Sequence, residues 1–364
     1  LKKTGGLDVE VADVVRLNDW EYRNKIALPF GYKRKTGRVT LGFYEKRTHS
    51  VVPMKWCALH GEWAAKLIQI VTDWANFNHI SVYDERSGQG ILRHVVARNL
   101  DTLSVTLVVN SDRVPKLAEL CQNLEKEFSG VCVYISENRK NTNVIFGKSV
   151  KLVYGKEKKQ NLGTFAAVVS PMSFLQVNND VRDAIYDEVC KELANFGGDI
   201  LEFYSGVGLL TAQIATEIEP SAVDNANALM KSLGLDKRVK CVCGDVLEYV
   251  KSIEKESEQT KSQDEDLPDE IKSSPFYLGE SEKKTARKPV ALVLDPPRKG
   301  CDKSVLDCAI EAKIEKIVYV SCNPQTLARD LKILSQSYDV ERVTPFDMFP
   351  QTSNVEVMCV LQRK

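Results

Sequence analysis

The sequence of 364 residues lacks any apolar run approaching the roughly 20 residues that a membrane-spanning helix requires, and it begins without the charged-then-apolar pattern of a signal peptide. It also lacks net charge, because 50 Lys and Arg residues balance 50 Asp and Glu residues. Histidine is scarce, and the last of the 4 histidines is His94. These absences predict a cytoplasmic protein with no membrane partner, and they leave the second half of the chain without histidine for acid–base chemistry.

Cysteine is present, but the arrangement that a disulfide framework requires is not. The 10 cysteines are spread along the chain without tight pairing, which favours reduced thiols. Cys241 and Cys243 have no evident partners for a four-ligand metal site, so we predict a buried strand at that position. No metal site is predicted from the spacing.

Hydrophobic periodicity divides the chain into two predicted domains, 1–168 and 169–364. The first alternates strand-like runs (TLSVTLVVN, GVCVYIS, NTNVIFG and VKLVYG) with helical patterns, which predicts a mixed α/β domain with an antiparallel sheet. The second has short apolar runs separated by helical segments, which is typical of a mostly parallel, doubly wound sheet. A charged, Ser-rich stretch at about 251–288 has no periodicity and predicts a disordered insertion.

A basic stretch in the first domain interleaves cations with aromatic residues. In GYKRKTGRVTLGFYEKR, the cations Lys33, Arg34 and Arg47 alternate with tyrosine and phenylalanine. This pattern suits the phosphates and stacked bases of a nucleic acid. It suits equally well a solvated hairpin edge that lysines protect from pairing.

Side chains that could act in catalysis or ligand binding lie at the strand ends of the second domain. Asp295 ends VALVLD, and the two prolines after it hold the chain extended, which favours an acid that faces a ligand. Cys322 follows the strand KIVYV and precedes TLARDLKIL, whose leucines have helical spacing. A thiol beside a helix start is expected to shift toward the thiolate, whereas an inert buried cysteine is the alternative. Gly206 and Gly208 would let a ligand approach the backbone.

Five motifs in order carry a family resemblance: SPMSFLQVN, EFYSGVG, DPPRKG, SCNPQTLARDL and FDMFPQTSNVE. The chain resembles the S-adenosylmethionine-dependent RNA 5-methyluridine methyltransferases, and WEYRNKIALPFG and GFYEKRTHSVVP extend the resemblance into the first domain. The motif sequences DPPRKGCD and DMFPQT are closest to those of the branch that acts on 23S ribosomal RNA.

The resemblance implies an architecture and a set of partners. It implies a Rossmann-like, class I methyltransferase domain at 169–364, behind a central α/β domain that contacts RNA. The oligonucleotide-binding barrel that precedes these domains in relatives is absent from this sequence. S-adenosylmethionine is the implied cofactor, and RNA is the implied partner, with ribosomal RNA favoured over transfer RNA. A monomer is expected, and the target uridine should lie in a loop or bulge, where its base is unstacked.

The resemblance also implies what the thiol attacks. Uracil C5 is a poor nucleophile, and family members add a thiolate to C6 to activate it. Cys322 would be that nucleophile, Glu356 the base that removes the C5 proton, and Asp295 a further catalytic residue that holds the uracil edge.

Matching position by position extends the set of site residues. The implied cofactor-binding residues are Gln176, Tyr204, Ser205, Gly206, Gly208, Glu217, Asp245 and Asp295. The expected substrate-binding residues are Gln176, Asn178 and Arg298, together with Lys33, Arg34 and Arg47 of the basic stretch. Arg298 either meets a phosphate or braces its loop.

Three departures from the family keep alternatives open. Cys57 matches only one ligand of an iron–sulfur site that relatives complete with upstream cysteines, so no cluster is expected. Only ATEI, which contains Glu217, is available for the second strand, and Asn354 stands where relatives have a histidine. The alternatives are a transfer RNA 5-methyluridine enzyme, an enzyme that methylates an exocyclic amino group without Cys322, and a catalytically impaired RNA-binding or folding module.

Overall fold

The structure, a computed structural model, describes residues 1–163, 165–194, 196, 199–204, 214–217, 240–243 and 290–364. It divides the chain into two compact units. The central unit is Asn18–Asp180, and the C-terminal unit combines Leu1–Leu17 with Val181–Lys364. The predicted insertion at about 251–288 lies outside the described residues.

This division differs from the one expected at residue 168. The N-terminal segment groups with the C-terminal unit because its backbone pairs there. The N–H of Ala12 donates to the Val343 carbonyl, and the N–H of Val15 donates to the Pro345 carbonyl, each over 2.9 Å. Sequence periodicity did not predict this pairing.

The helices in the described part of the chain are α1 (Lys2–Gly5), α2 (Glu62–Phe77), α3 (Leu117–Glu127), α4 (Asn179–Leu193), α5 (Lys303–Glu311) and α6 (Pro324–Leu334). None of these described helices is long and apolar enough to cross a membrane.

The central unit is built on a seven-stranded mixed sheet. Its strands are β1 (Lys25–Tyr32), β2 (Val39–Tyr44), β3 (Val51–Pro53), β4 (Leu92–Asn99), β5 (Leu103–Val109), β6 (Val131–Glu137) and β7 (Lys151–Tyr154), in the order β3-β2-β1-β4-β5-β6-β7. β5 and β6 are parallel, and the other neighbours are antiparallel. β8 (Gln160–Leu162) and β9 (Phe165–Ala167) form a separate hairpin. The helix α2 packs on the large sheet, because Leu67, Val71 and Trp74 have helical spacing and are buried.

One predicted strand of the first domain, NTNVIFG (141–147), is wrong. This stretch forms a loop because the side chain of Asn138 captures its carbonyls. The Asn138 amide donates to the carbonyl oxygens of Val144 (2.8 Å) and Ile145 (3.0 Å). A side chain that satisfies backbone acceptors removes the need for a neighbouring strand.

The C-terminal unit is built on a second seven-stranded sheet. Its strands are β10 (Asp199–Phe203), β11 (Ile214–Glu217), β12 (Lys240–Cys243), β13 (Val290–Leu294), β14 (Lys316–Ser321), β15 (Tyr338–Phe346) and β16 (Glu356–Arg363), in the order β12-β11-β10-β13-β14-β16-β15. The first five in this order are parallel, whereas β16 is antiparallel to both of its neighbours. The predicted mostly parallel sheet is confirmed, and the antiparallel pair at its edge extends it.

The central strands of this sheet are covered on both faces. Alternate residues of β13 and β14 pack against different helices, since Leu292 and Ile317 join the cluster of α5 and α6, whereas Val293 and Val318 join the cluster of α4. Strands covered on both faces must be apolar at every position, which explains the runs VALVL and KIVYV.

The reversed direction of β16 decides what lies at the sheet edge. β16 pairs with β14 so that Val357 lies opposite Ser321. The first residue of β16 therefore lies at the edge where the parallel strands β13 and β14 end.

Candidate active site

Three reactive side chains meet at this edge of the C-terminal sheet. Asp295 follows β13, Cys322 follows β14, and Glu356 is the first residue of β16. The charges of Glu356 and Asp295 both act on the Cys322 thiol. A thiol and two carboxyl groups, predicted separately from their sequence motifs, therefore form one cluster.

The two carboxyl groups of the cluster are held toward their neutral forms. Glu356 is only 2% exposed, and burial together with the nearby Asp295 raises the pKa of its carboxyl to about 8. Burial raises the pKa of Asp295 to about 7. Glu356 Oε2 has no hydrogen-bond partner among the described residues. Acids with pKa values near neutrality are suited to exchange protons with a ligand.

The predicted shift of Cys322 toward the thiolate is wrong in direction. Burial raises the pKa of the thiol, and the charges of Glu356 and Asp295 raise it further. Arg298 and a backbone hydrogen bond act in the opposite direction but do not outweigh these effects. The sequence showed the helix start after Cys322 but not the carboxylates that the fold brings beside it.

The loop that carries Arg298 is tied to the start of α6. Asn323 caps this helix by accepting a hydrogen bond from the Gln325 N–H at 3.1 Å, with Pro324 in the first turn. The same Asn323 donates its amide to the Arg298 carbonyl at 3.1 Å. Arg298 therefore braces its loop through its carbonyl, while its exposed guanidinium supplies positive charge to the cluster.

A buried acid on α6 fixes the other end of this loop. Asp330 is 0% exposed, and its Oδ2 accepts from the Tyr319 hydroxyl at 2.7 Å and from the Cys301 N–H at 2.9 Å. Its Oδ1 pairs with Arg329, which also donates to the carbonyls of Lys299 and Cys301. The motifs DPPRKG and SCNPQTLARDL are thus bonded directly to each other.

The bonds of Asp330 and Arg329 form a clamp that holds the loop against α6. Sequence reasoning missed this clamp, although a signal for it was present. Asp330 lies three residues after Leu327 and beside Leu331, so it falls on the apolar face of α6. An acid at such a position requires buried partners. Gly300 has φ 78°, and a Cβ there would lie 2.6 Å from Arg329 Nη2 and from Asp330 Oδ2, so the clamp leaves no room for a side chain.

Further polar groups surround Asp295. Burial raises the pKa of Tyr186, on α4, and the charges of Asp295 and Glu202 add to this effect. Tyr204 follows β10, the neighbour of β13, and its hydroxyl bonds the Cys301 thiol. Asp295 and the buried Glu202 supply acidic groups that fit a ligand with a positive charge, as S-adenosylmethionine has on its sulfonium.

Comparisons with known proteins agree with this arrangement. Residues 283–364 match the model of the tRNA (uracil-5-)-methyltransferase family. An uncharacterized RNA methyltransferase of Clostridium tetani is 33% identical over 99% of this chain and 75% of its own length. One of Listeria innocua is 32% identical over 100% of this chain and 77% of its own. The chain belongs to the RNA 5-methyluridine methyltransferase family. It is an S-adenosylmethionine-dependent enzyme, and the family predicted from the motifs is confirmed.

A solved structure supports the fold of this RNA methyltransferase. The tRNA (uracil-54, C5)-methyltransferase of Pyrococcus abyssi, in complex with S-adenosyl-L-homocysteine, superposes with a TM-score of 0.70. The match covers 99% of this chain and 80% of that one, at 23% sequence identity. The predicted Rossmann-like, class I fold is confirmed.

Several cofactor contacts expected for this RNA methyltransferase fall outside the described residues. Ser205, Gly206, Gly208 and Asp245 are among them. Glu217 is the last residue of β11, which pairs with β10 and β12 although the segment before it is short. Its contact with the ribose stays a prediction.

Gln176 and Asn178 belong to the central unit. Gln176 is 8% exposed and Asn178 is 1% exposed, and the Asn24 amide donates to the Gln176 carbonyl at 3.0 Å. The backbone of Asn178 forms an isolated antiparallel β-bridge with that of Arg23. Their predicted contacts with uracil, and that of Gln176 with the cofactor, stay predictions.

Two residues at departures from the family pattern have local partners. Cys57 Sγ lies 3.1 Å from His60 Nδ1, and His60 Nε2 lies 3.1 Å from the Lys25 carbonyl. Because a carbonyl only accepts, Nε2 donates and Nδ1 accepts from the thiol. No group of three or more potential metal ligands is found within the described ranges. Asn354 donates to Thr352 Oγ1 at 3.5 Å.

The predicted RNA-binding cations lie around the β1–β2 hairpin. Arg34 pairs with Glu45 at 3.2 Å and bonds Ser50 at 3.0 Å. Arg47 is exposed and lines a cavity, and Lys33 is half-buried in the hairpin turn. Their contact with RNA stays a prediction.

Proposed function

We propose that this enzyme transfers a methyl group from S-adenosylmethionine to C5 of a uridine in RNA through a covalent bond between Cys322 and uracil C6. The observation that carries the proposal is the cluster of Cys322, Glu356 and Asp295 at one sheet edge. An enzyme that methylates an exocyclic amino group has no use for a thiol and a second acid at this position.

Among the described residues of the C-terminal unit, those that would hold the cofactor are Tyr204, Glu217 and Asp295, with Glu202 adding negative charge. When bound, S-adenosylmethionine supplies an electrophilic methyl group. When ionised, these acids create a negative potential that suits the sulfonium carrying this methyl group.

The protein side of the proposed reaction begins with the thiol. Cys322 gives its proton to solvent water, and its sulfur adds to C6, so that the C5=C6 electron pair moves toward the O4 carbonyl and C5 becomes nucleophilic. After C5 is methylated, the Glu356 carboxylate takes the C5 proton. The electrons of that C–H bond re-form the C5=C6 bond, and the Cys322 sulfur leaves with its bonding pair.

Glu356 is suited to this role because of its pKa. A base whose pKa of about 8 lies near the working pH combines sufficient basicity with a useful fraction of the ionised form. Its uncommitted Oε2 provides an acceptor for the transferred proton.

The experiment combines labelled S-adenosylmethionine with RNA in which candidate uridines are replaced by 5-fluorouridine. Because fluorine cannot leave as a proton, the reaction should stop as a denaturant-resistant protein–RNA adduct. Cys322→Ala should form no adduct, and Glu356→Gln should accumulate an adduct even with ordinary uridine. Methyl transfer to C5 by Cys322→Ala at the wild-type rate would remove Cys322 from the mechanism.

We propose a ribosomal RNA uridine as the target, because the motif sequences DPPRKGCD and DMFPQT resemble those of the 23S ribosomal RNA branch. A transfer RNA uridine is the second candidate, because the matched family model bears the tRNA (uracil-5-)-methyltransferase description. Label transfer to a 23S ribosomal RNA fragment and to a transfer RNA T-loop, measured in competition, distinguishes the two. Preference for the T-loop would overturn the ribosomal assignment and leave the C5 chemistry in place.

A further inference from the structure

A cavity of about 640 Å³ lies within the central unit. It is lined by the ends of β1 and β2, the loop after β2, residues 82–86 and the start of β4. This volume falls within the roughly 300–1,000 Å³ of pockets that bind one small ligand. It is large enough for a nucleoside with its phosphate.

Aromatic side chains form the walls of this cavity. The Tyr44 ring lies 5.5 Å from the His49 ring and 6.5 Å from the His94 ring, measured between centroids. Tyr32 is held from another side, because its hydroxyl accepts the Val82 N–H at 2.9 Å. Tyr32 and Tyr44 nevertheless remain 48% and 43% exposed. Fixed aromatic rings with open surface provide stacking platforms for nucleobases.

Arginines give the cavity its charge. Arg93 is 5% exposed, and its guanidinium lies 4.4 Å from the centre of the Tyr83 ring. Arg47 and Arg86 also line the cavity. Three arginines therefore face two acids, and both acids have internal partners. Asp84 accepts from the Arg86 and Ser87 N–H groups at 2.8 Å, and Glu85 pairs with His49 at 2.6 Å.

His94 adds a neutral polar group to the lining. Burial lowers the pKa of its imidazole to about 4, and Arg93 contributes in the same direction. A neutral imidazole has one N–H donor and one acceptor nitrogen, which matches the polar edge of a base. Within the described chain, His94 Nδ1 is buried and has no hydrogen-bond partner.

A second groove, between α2 and α3, has a similar size but the opposite charge. It has a volume of about 560 Å³, and Phe77 on its wall is 81% exposed. Its acids are Asp73, Glu119 and Glu127, whereas its Lys66 is already paired with Glu127 at 2.8 Å. Such a groove repels phosphate, which makes it a matched control for the first cavity.

We infer that the cavity around Tyr44 binds an unstacked nucleobase of the RNA substrate, with its phosphate near Arg47 and Arg86. This inference rests on the proposed function, because it assigns a second nucleotide in addition to the uridine that reacts at Cys322. The base stacks on Tyr44, and the cavity thereby selects RNA that exposes two unpaired bases.

The test measures binding of single-stranded RNA oligonucleotides in which each position in turn is made abasic. The wild type should bind the RNA on the order of ten-fold more weakly when the base is removed at one position outside the target uridine. Tyr44→Ala should bind the intact RNA about ten-fold more weakly, and removal of that same base should cost it nothing further. Tyr44→Trp should restore the wild-type pattern, which separates stacking from misfolding.

Phe77→Ala in the acidic groove is the control and should bind as the wild type does. If Tyr44→Ala keeps wild-type affinity, or if every abasic position costs it as much as it costs the wild type, the cavity does not bind a base. The 5-fluorouridine adduct at Cys322 is measured on the same RNAs. A normal adduct with no effect of Tyr44 overturns this inference alone. A Tyr44-dependent base position with no adduct overturns the proposed chemistry alone.

Discussion

Two buried carboxyl groups of the C-terminal unit have opposite environments. Asp330 accepts hydrogen bonds from a hydroxyl and a backbone N–H and pairs with a guanidinium. Glu356 is equally buried, but one of its oxygens has no partner among the described residues, and Asp295 is its close electrostatic neighbour. Burial of a charge is costly unless bonds compensate it. The bonds of Asp330 therefore offset the cost of burying its charge, which suits a structural role. Glu356 has an oxygen that remains available to accept a proton.

The largest effect is expected from Glu356→Gln. Steady-state release of methylated RNA should fall by on the order of 10² to 10⁴-fold, because general-base catalysis contributes about this much to the elimination step. Thermal stability should not fall, since the amide has the same shape and avoids the cost of a buried charge. Turnover assays with thermal melting of the same sample measure both quantities. A large drop in melting temperature would mean that Glu356 is a structural acid like Asp330.

Unlike Glu356→Gln, the substitution Asp330→Ala is expected to lower the stability of the fold. Loss of this acid leaves the Tyr319 hydroxyl and the Cys301 N–H without their buried acceptor. The free energy of unfolding should fall by about 2–6 kcal/mol, because each of these two buried donors costs about 1–3 kcal/mol when it is left without an acceptor. Urea denaturation measures this change, and Lys332→Ala, at a site facing solvent on the same helix, is the control. Unchanged stability would show that the clamp is not needed for folding.

The pH dependence of stability should separate the two acids further. The folded-state pKa of Glu356 is about 8 against an ordinary 4.5, so the folded protein binds more protons between these values. Its stabilising contribution is present below about pH 4.5 and is lost as the pH rises through 8. The unfolding free energy of Glu356→Gln should therefore fall less steeply than that of the wild type from pH 5 to pH 9. Parallel curves would contradict the raised pKa.

The smallest effect is expected on the reactivity of Cys322. Glu356 raises the pKa of the thiol and Arg298 lowers it. Glu356→Gln should therefore move the pH midpoint of Cys322 alkylation down, and Arg298→Ala should move it up. Mass spectrometry of the Cys322 peptide follows this thiol alone, and the peptide containing the exposed Cys190 provides an internal reference. Shifts in the same direction for both variants would rule out a direct charge effect.

The sequence predicted elements well where one local signal dominated. The run KIVYV lies within β14, and TLARDLKIL, whose leucines have helical spacing, lies within α6. The proximity of Asp295 and Cys322 was also predictable, because parallel strands end at one edge of a sheet. Glu356 was found only through the family resemblance, since nothing local indicates that β16 runs in the opposite direction.

The failures come from tertiary effects on local signals. NTNVIFG has the composition of a strand, but Asn138 takes up its carbonyls. Cys322 precedes a helix, but burial, together with the charges of Glu356 and Asp295, raises the pKa of its thiol. Asp330 was overlooked because motif reasoning assigns chemistry to each motif separately, whereas here one motif holds the other in place.

The place of β16 in the sheet has a consequence for synthesis of the protein. The strand that begins with Glu356 has 8 residues and lies between β14 and β15, although it follows both of them in the chain. In a nascent chain that already contains Cys322, the edge of β14 that faces β16 stays unpaired until residues 356–363 leave the ribosome. In the proposed mechanism, the nucleophile Cys322 is therefore synthesised before the strand that positions its base, Glu356.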